Sequence, residues 1–134
     1  MVGPVFMDSS ALYALFDADD SEHEAAARLW ERLVAEDYPL FVTNYVLLET
    51  SALLQRRLGV GAVRALEAFV VPWLNVTWID EALHAPAVAA LLAANRRDLS
   101  LADCAGFSAM RREGISTVFA LDRHFGERGF SEFA

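Results

Sequence analysis

Two hydrophobic periods alternate along this chain. Short β-branched or aromatic runs at Pro4 to Met7, Leu40 to Val42, Val76 to Ile79 and Thr117 to Leu121 are separated by longer segments whose apolar residues recur at helical spacing. Strands this short, each followed by a helix, bury their side chains by assembling as βα units on a parallel sheet. An α/β fold is therefore expected. Ser21-Glu22-His23-Glu24 has capping-box spacing and should open a helix to about Glu36, with Ala27, Trp30, Leu33 and Val34 on its apolar face and His23 at the surface. Further helices are expected at Asn44 to Leu58, Gly61 to Val71, Glu81 to Asn95 and Leu101 to Glu113. Gly59-Val60-Gly61, the Pro72 region and Arg97-Asp98-Leu99-Ser100 separate them. No repeat or long linker interrupts the 134 residues, so residues 1–134 are read as a single domain.

Apolar residues make up 55% of the chain, enough to bury a full core without disulfides or metal staples. Cys104 is the only cysteine, which excludes an internal disulfide and a cysteine-rich zinc site and makes it a small buried apolar residue. Apolar runs such as Ala85 to Ala94 fall short of the roughly 20 residues needed to span a bilayer, and no secretory leader pattern opens the chain. A soluble, cytoplasmic protein is expected. The net charge is −8, and the excess is local: residues 1 to 50 hold ten acids against Arg28 and Arg32, while residues 51 to 134 hold nine acids against nine arginines. Such a balance disfavours non-specific coating of nucleic acid but leaves room for a local arginine surface beside a metal.

Within this pattern four acids stand in apolar surroundings. Asp8 closes the run Val5-Phe6-Met7 with no lysine or arginine near it, and Asp122 follows the run Thr117 to Leu121 in the same way. Glu49 has Tyr45, Val46, Ala52 and Leu53 as its helical neighbours, and Asp103 has Gly106, Phe107 and Met110. Each has a structural alternative. Asp8 and Asp122 are good cap or turn residues, Glu49 can reach water from the edge of a core, and Ser100 to Asp103 has the spacing of a capping box. Open parallel sheets, however, bind ligands outside the carboxyl ends of their strands, where Asp8 and Asp122 lie. Four converging carboxylates raise one another's pKa unless a cation sits among them. Oxygen donors without histidine or cysteine suit Mg²⁺ or Mn²⁺ rather than zinc. Asp8 is then a metal ligand with Asp103 and Glu49, and Ser9 or Ser10, Thr43 and Ser100 are the hydroxyls expected to steady the site.

Taken in order, these motifs resemble the PIN-domain family of nucleases, and more closely its VapC-type ribonuclease toxins. The resemblance runs nearly end to end: a strand closing on Asp8-Ser9-Ser10, Thr43 six residues before Glu49, Leu99-Ser100-Leu101-Ala102-Asp103, and Leu121-Asp122-Arg123-His124-Phe125 followed by Gly129-Phe130. It implies a three-layer α/β/α sandwich with a central, mainly parallel sheet. It also implies a Mg²⁺-dependent phosphodiesterase site made by Asp8, Glu49, Asp103 and Asp122, an RNA substrate, inhibition by a cognate antitoxin, and a homodimer. Trp30, Trp73 and Trp78 belong either to that dimer surface or to the core. Ala120 departs from the pattern, since relatives often carry Thr or Ser two residues before the last aspartate.

In the chemistry so implied, hydrolysis needs no protein nucleophile. Arg96, Arg97, Arg111, Arg112, Arg123 and Arg128 are candidate phosphate contacts. Receiver-like phosphoacceptor domains and haloacid-dehalogenase-like phosphatases also place acids at strand ends, but both need a lysine, and this chain has none. An EF-hand over Asp17 to Arg28 fails for want of the turn glycine and the twelfth-position glutamate. The remaining rival is a catalytically inactive binding module on the same fold.

Overall fold

The computed structural model describes residues 2–134. Its elements follow the order β1 (Val5–Met7), α1 (Ser9–Ala14), α2 (His23–Ala35), β2 (Leu40–Thr43), α3 (Asn44–Leu58), α4 (Val60–Ala65), β3 (Leu74–Thr77), α5 (Glu81–Ala94), α6 (Leu101–Glu113), β4 (Thr117–Phe119), α7 (His124–Glu127) and β5 (Ser131–Glu132). The strands form one sheet in the order β3-β2-β1-β4-β5, with every neighbouring pair parallel.

All three residues of β1 are buried, as expected for a central strand covered on both faces. Phe6 points at α6 and α7, where its ring approaches Phe125 with centroids 5.7 Å apart. Its neighbours Val5 and Met7 must face the opposite layer, because side chains alternate along a strand. The result is a three-layer α/β/α sandwich. Gly106 allows α6 to come this close: a Cβ there would stand 3.3 Å from the rings of both Phe6 and Phe125. No helix among the described residues is long and apolar enough to cross a membrane.

Several boundaries differ from those expected, each for a local reason. Strand β3 starts two residues early, where Leu74 pairs with Leu40, and ends two residues early because the Ile79 N–H is taken by the Asn44 side chain at 2.6 Å instead of a strand partner. Strand β4 ends at Phe119 because the Leu121 N–H turns aside to Ser10 Oγ at 2.9 Å. The capping box expected at Ser21 does not form. Asp20 Oδ1 accepts from the Glu22 N–H at 2.8 Å, so an aspartate turn takes over that stretch, and Glu22 opens α2 without a side-chain cap. His23 is half-buried rather than superficial, with Nδ1 2.7 Å from the Ala14 carbonyl oxygen. The helix expected to reach Val71 stops being α-helical at Ala65, widens into a π turn over Leu66–Val70, and closes as a 3₁₀ turn over Val71–Trp73. Pro72 within that turn has no N–H to continue a ladder. Strand β5 was not expected: two exposed residues have no apolar pattern, and it forms by pairing with β4.

The connections lead from β1 out through β2 to β3, then return to the far side of β1 for β4 and β5. Strand order thus reverses between β1 and β4, and their carboxyl ends open the crevice in which such sheets bind ligands. Asp8 and Asp122 stand at its two sides.

Candidate active site

Asp8 is only 1% exposed, and it does two things at once. As the cap of α1 it accepts through Oδ2 from the Ser10 N–H at 3.3 Å and the Ser10 hydroxyl at 2.6 Å, while its own N–H donates to the Phe119 carbonyl at 3.0 Å. The other oxygen, Oδ1, is buried with no hydrogen-bond partner. Burial above all, then the charge of Asp122, push the Asp8 carboxyl well above the ordinary carboxylate range; the Ser10 hydrogen bonds pull the other way, and Asp103 adds a smaller push. Ser10 therefore fastens the first acid to the end of β4, since the same hydroxyl receives the Leu121 N–H. A hydroxyl thus stands between Asp8 and the end of β4, although position 120 is Ala120.

Asp103 is 6% exposed, and its capping box with Ser100 is formed in both directions, Asp103 N–H to Ser100 Oγ at 3.0 Å and Ser100 N–H to Asp103 Oδ2 at 3.1 Å. The capping box therefore forms as expected, and the same carboxylate also stands close to Asp122 and His124. Burial raises its pKa most, the Ser100 N–H lowers it, the charge of Asp122 raises it, His124 lowers it, and the charge of Glu49 adds the smallest rise. Asp122 caps the turn into α7, its Oδ1 accepting the His124 N–H at 3.1 Å.

His124 is the residue that the sequence reading missed. Its Nδ1 lies 3.1 Å from Asp103 Oδ2 and 3.6 Å from Asp122 Oδ1, and donor atoms of the three residues lie within 4.8 Å of one another. The 3.1 Å approach is off the line of a hydrogen bond, so Nδ1 is buried and unpaired. The site is therefore not oxygen-only. The available signal was position: His124 follows Asp122 by two residues, close enough for a tight turn to fold it back onto the acid.

Glu49 is half-buried on α3 and accepts from the Ser9 hydroxyl, so Ser9 and Ser10 serve different acids. Its charge reaches Asp103, and it lines an open cleft of about 540 Å³ together with Ser9, Ser10, Asp122 and Arg56. Thr43 caps α3 by accepting the Val46 N–H at 3.1 Å and is fully buried; its hydroxyl holds the helix that carries Glu49 and none of the acids.

The arginines divide by what holds them. Arg96 pairs with Asp98 at 2.7 Å and Glu127 at 3.3 Å, which lowers the Asp98 pKa to about 2, and Arg123 pairs with Glu127 at 3.5 Å. Arg111 and Arg128 lie over the rings of Phe130 and Phe107, and Arg112 is 3.7 Å from Glu113. Arg97 is exposed beside a separate hollow.

Among the described residues, three buried side-chain polar atoms lack a hydrogen bond: Asp8 Oδ1, His124 Nδ1 and Thr50 Oγ1. Each such atom costs about 1–3 kcal/mol when left unpaired, and two of the three belong to this group of acids. Carboxylates held at raised pKa with an unpaired oxygen are the donor set a divalent cation satisfies, so the residues fit a metal.

A PIN-domain family model matches residues 5–131. The proteins named 23S rRNA-specific endonuclease VapC20 from two strains of Mycobacterium tuberculosis are 35% identical over 130 residues, covering 96% of this chain and 96% of theirs. The crystal structure of M. tuberculosis VapC20, described as a sarcin-ricin loop cleaving toxin, superposes with a TM-score of 0.84 at 34% identity, over 96% of this chain and 98% of that one. The crystal structure of FitAcB from Neisseria gonorrhoeae shares the fold with a TM-score of 0.68 at 15% identity, over 97% of this chain and 96% of that one. The chain belongs to the PIN-domain family, in its VapC-type branch.

Proposed function

We propose that this chain, as one domain over residues 1–134, is an endoribonuclease that hydrolyses RNA phosphodiesters with Mg²⁺ or Mn²⁺ and acts as the toxin of a type II toxin–antitoxin pair. Ribosomal RNA is the substrate class to test first, by likeness to the M. tuberculosis relative. The observation that carries this reading is the pair of unpaired buried atoms, Asp8 Oδ1 and His124 Nδ1, beside Asp103 and Asp122.

Asp103, Asp122 and His124, with Asp8 beside them, would hold the cation, with Glu49 at the rim. A divalent ion in such a site lowers the pKa of water and neutralises charge on phosphate oxygens. The protein's own part is positional. Ser10 fixes the rotamer of Asp8, the Ser100 capping box fixes Asp103, and the α7 turn fixes Asp122. Glu49 keeps one oxygen outside its bond with Ser9, from which it can accept a proton in the cleft.

For control, an arginine of an antitoxin segment is the natural competitor for these carboxylates, since its planar fork binds them through two charge-assisted hydrogen bonds. Leu48 stands 70% exposed beside Glu49, where a groove with Tyr45, Leu101 and Ala102 offers an apolar seat for a helix of that partner. Trp73 and Trp78 are exposed rather than core, while Trp30 packs half-buried against the core; the exposed pair favours the homodimer. Cleavage mapping on total RNA, with Asp8→Asn as control and chelator as a second control, tests the reading. RNA binding without cleavage in the presence of Mg²⁺ and Mn²⁺ would instead favour the inactive binding module.

A further inference from the structure

The cleft beside the acids contains a cation that the chemistry above does not use. Along α3, Glu49, Ala52, Leu53 and Arg56 stand at i, i+3, i+4 and i+7, so one helical stripe runs from a carboxylate across a short apolar floor to a guanidinium. At about 1.5 Å per residue the two ends lie roughly 10 Å apart along the axis. A single phosphate cannot meet both ends, whereas a phosphate at the acids leaves the next one along the strand free to meet Arg56. Arg56 is exposed and takes part in none of the ion pairs among the described residues, unlike Arg96 and Arg123. Asp20 and Glu22 line the same cleft, and their charges disfavour a phosphate on that side, opposite to Arg56 on α3.

We propose that this cleft is the subsite for a nucleotide next to the scissile phosphate, with Arg56 binding that nucleotide's phosphate and the floor of Ala52, Leu53 and Leu121 receiving its base. The proposal rests on the ribonuclease reading above. A base can enter a lateral apolar floor only when it is unstacked, so the substrate it implies is an unpaired loop or single-stranded segment rather than a helix. The arginine fork and the base contact together select a nucleotide, where either alone would bind any phosphate or any apolar group.

The test uses the full chain and a labelled single-stranded oligoribonucleotide spanning the cleavage site mapped with the wild type. Arg56→Ala is compared with Arg56→Lys and with Arg28→Ala, which removes the same charge from α2. The subsite predicts that Arg56→Ala raises KM about tenfold with kcat changed less than about threefold, as expected for one lost charge-assisted phosphate contact. Arg56→Lys should fall between, and Arg28→Ala should match the wild type. In an Asp8→Asn background, Arg56→Ala should also reduce the slope of log affinity against log salt by about 0.7, one phosphate contact on a single strand. If Arg56→Ala matches Arg28→Ala in KM and in salt slope, or loses kcat alone, the subsite is overturned while the ribonuclease reading stands. If the wild type neither binds nor cleaves RNA, both are overturned.

Discussion

His124 Nδ1 lies 3.1 Å from Asp103 Oδ2, and on its other side Nε2 lies 3.5 Å from Asp98, which Arg96 holds at 2.7 Å. A line of polar side chains, Arg96, Asp98, His124 and Asp103, therefore runs from the surface into the group of acids. His124→Gln should weaken Mn²⁺ binding about 10–100-fold, the usual effect of losing a ligand or its immediate support. Calorimetric titration of Mn²⁺ into wild type and variant measures this, and equal affinities would remove His124 from the site.

Asp8→Asn should stabilise the metal-free protein while abolishing cleavage. Asp8 is buried beside Asp122 and Asp103, and its charged form is disfavoured enough to raise its pKa well above 3.8. An amide keeps the shape and removes the repulsion. A rise in Tm of about 3 °C or more in chelator is expected for a gain near 1 kcal/mol. A lower Tm would mean that the carboxylate serves the fold rather than a ligand.

The same shifts set a pH dependence. Asp8 and Asp103 have folded-state pKa values above their unfolded values, so the folded state binds protons more tightly. Stability is then fully present below about pH 4 and is lost as pH rises through the folded pKa values. Asp98, lowered to about 2, works the other way, but only below about pH 4. Metal-free protein should melt at a lower temperature at pH 7.5 than at about pH 4, and saturating Mg²⁺ should flatten the difference. A Tm that climbs with pH in chelator would contradict the raised pKa values.

Ser9 and Ser10 should separate by phenotype. Ser10→Ala leaves both Asp8 Oδ2 and the Leu121 N–H short of a partner, and should cost about 1–3 kcal/mol in urea unfolding. Ser9→Ala removes only the contact with half-buried Glu49, and should leave stability within about 0.5 kcal/mol while lowering kcat. Equal losses of stability would mean that the two hydroxyls do not have separate tasks.

Much of the architecture was legible because parallel strands advertise themselves. β1 and β2 are continuous apolar runs, and α3 and α6 carry hydroxyl caps at Thr43 and Ser100 that mark their first turns. The burial of Asp8 and Asp103 was legible for the same reason, as charges in apolar settings. What escaped depends on contacts distant in sequence. Ser10 reaches Leu121 across 111 positions and decides where β4 ends, and Asn44 reaches Ile79 across 35 and decides where β3 ends. No local period encodes either. The capping box at Ser21 failed because Asp20, an equally good local acceptor, competed for the same turn. His124 was overlooked since its position comes from a turn that folds it onto Asp103, on a different element.

The proposed metal-dependent ribonuclease activity rests on the buried acids at the β1–β4 crevice. The most direct measurement is primer-extension mapping of total RNA after incubation with purified wild type or Asp8→Asn, each with Mg²⁺ and with chelator. Discrete cut sites should appear only with wild type and Mg²⁺, with at least about a hundredfold less product in the other three arms. Cutting of equal extent by Asp8→Asn, or by wild type in chelator, would contradict the account.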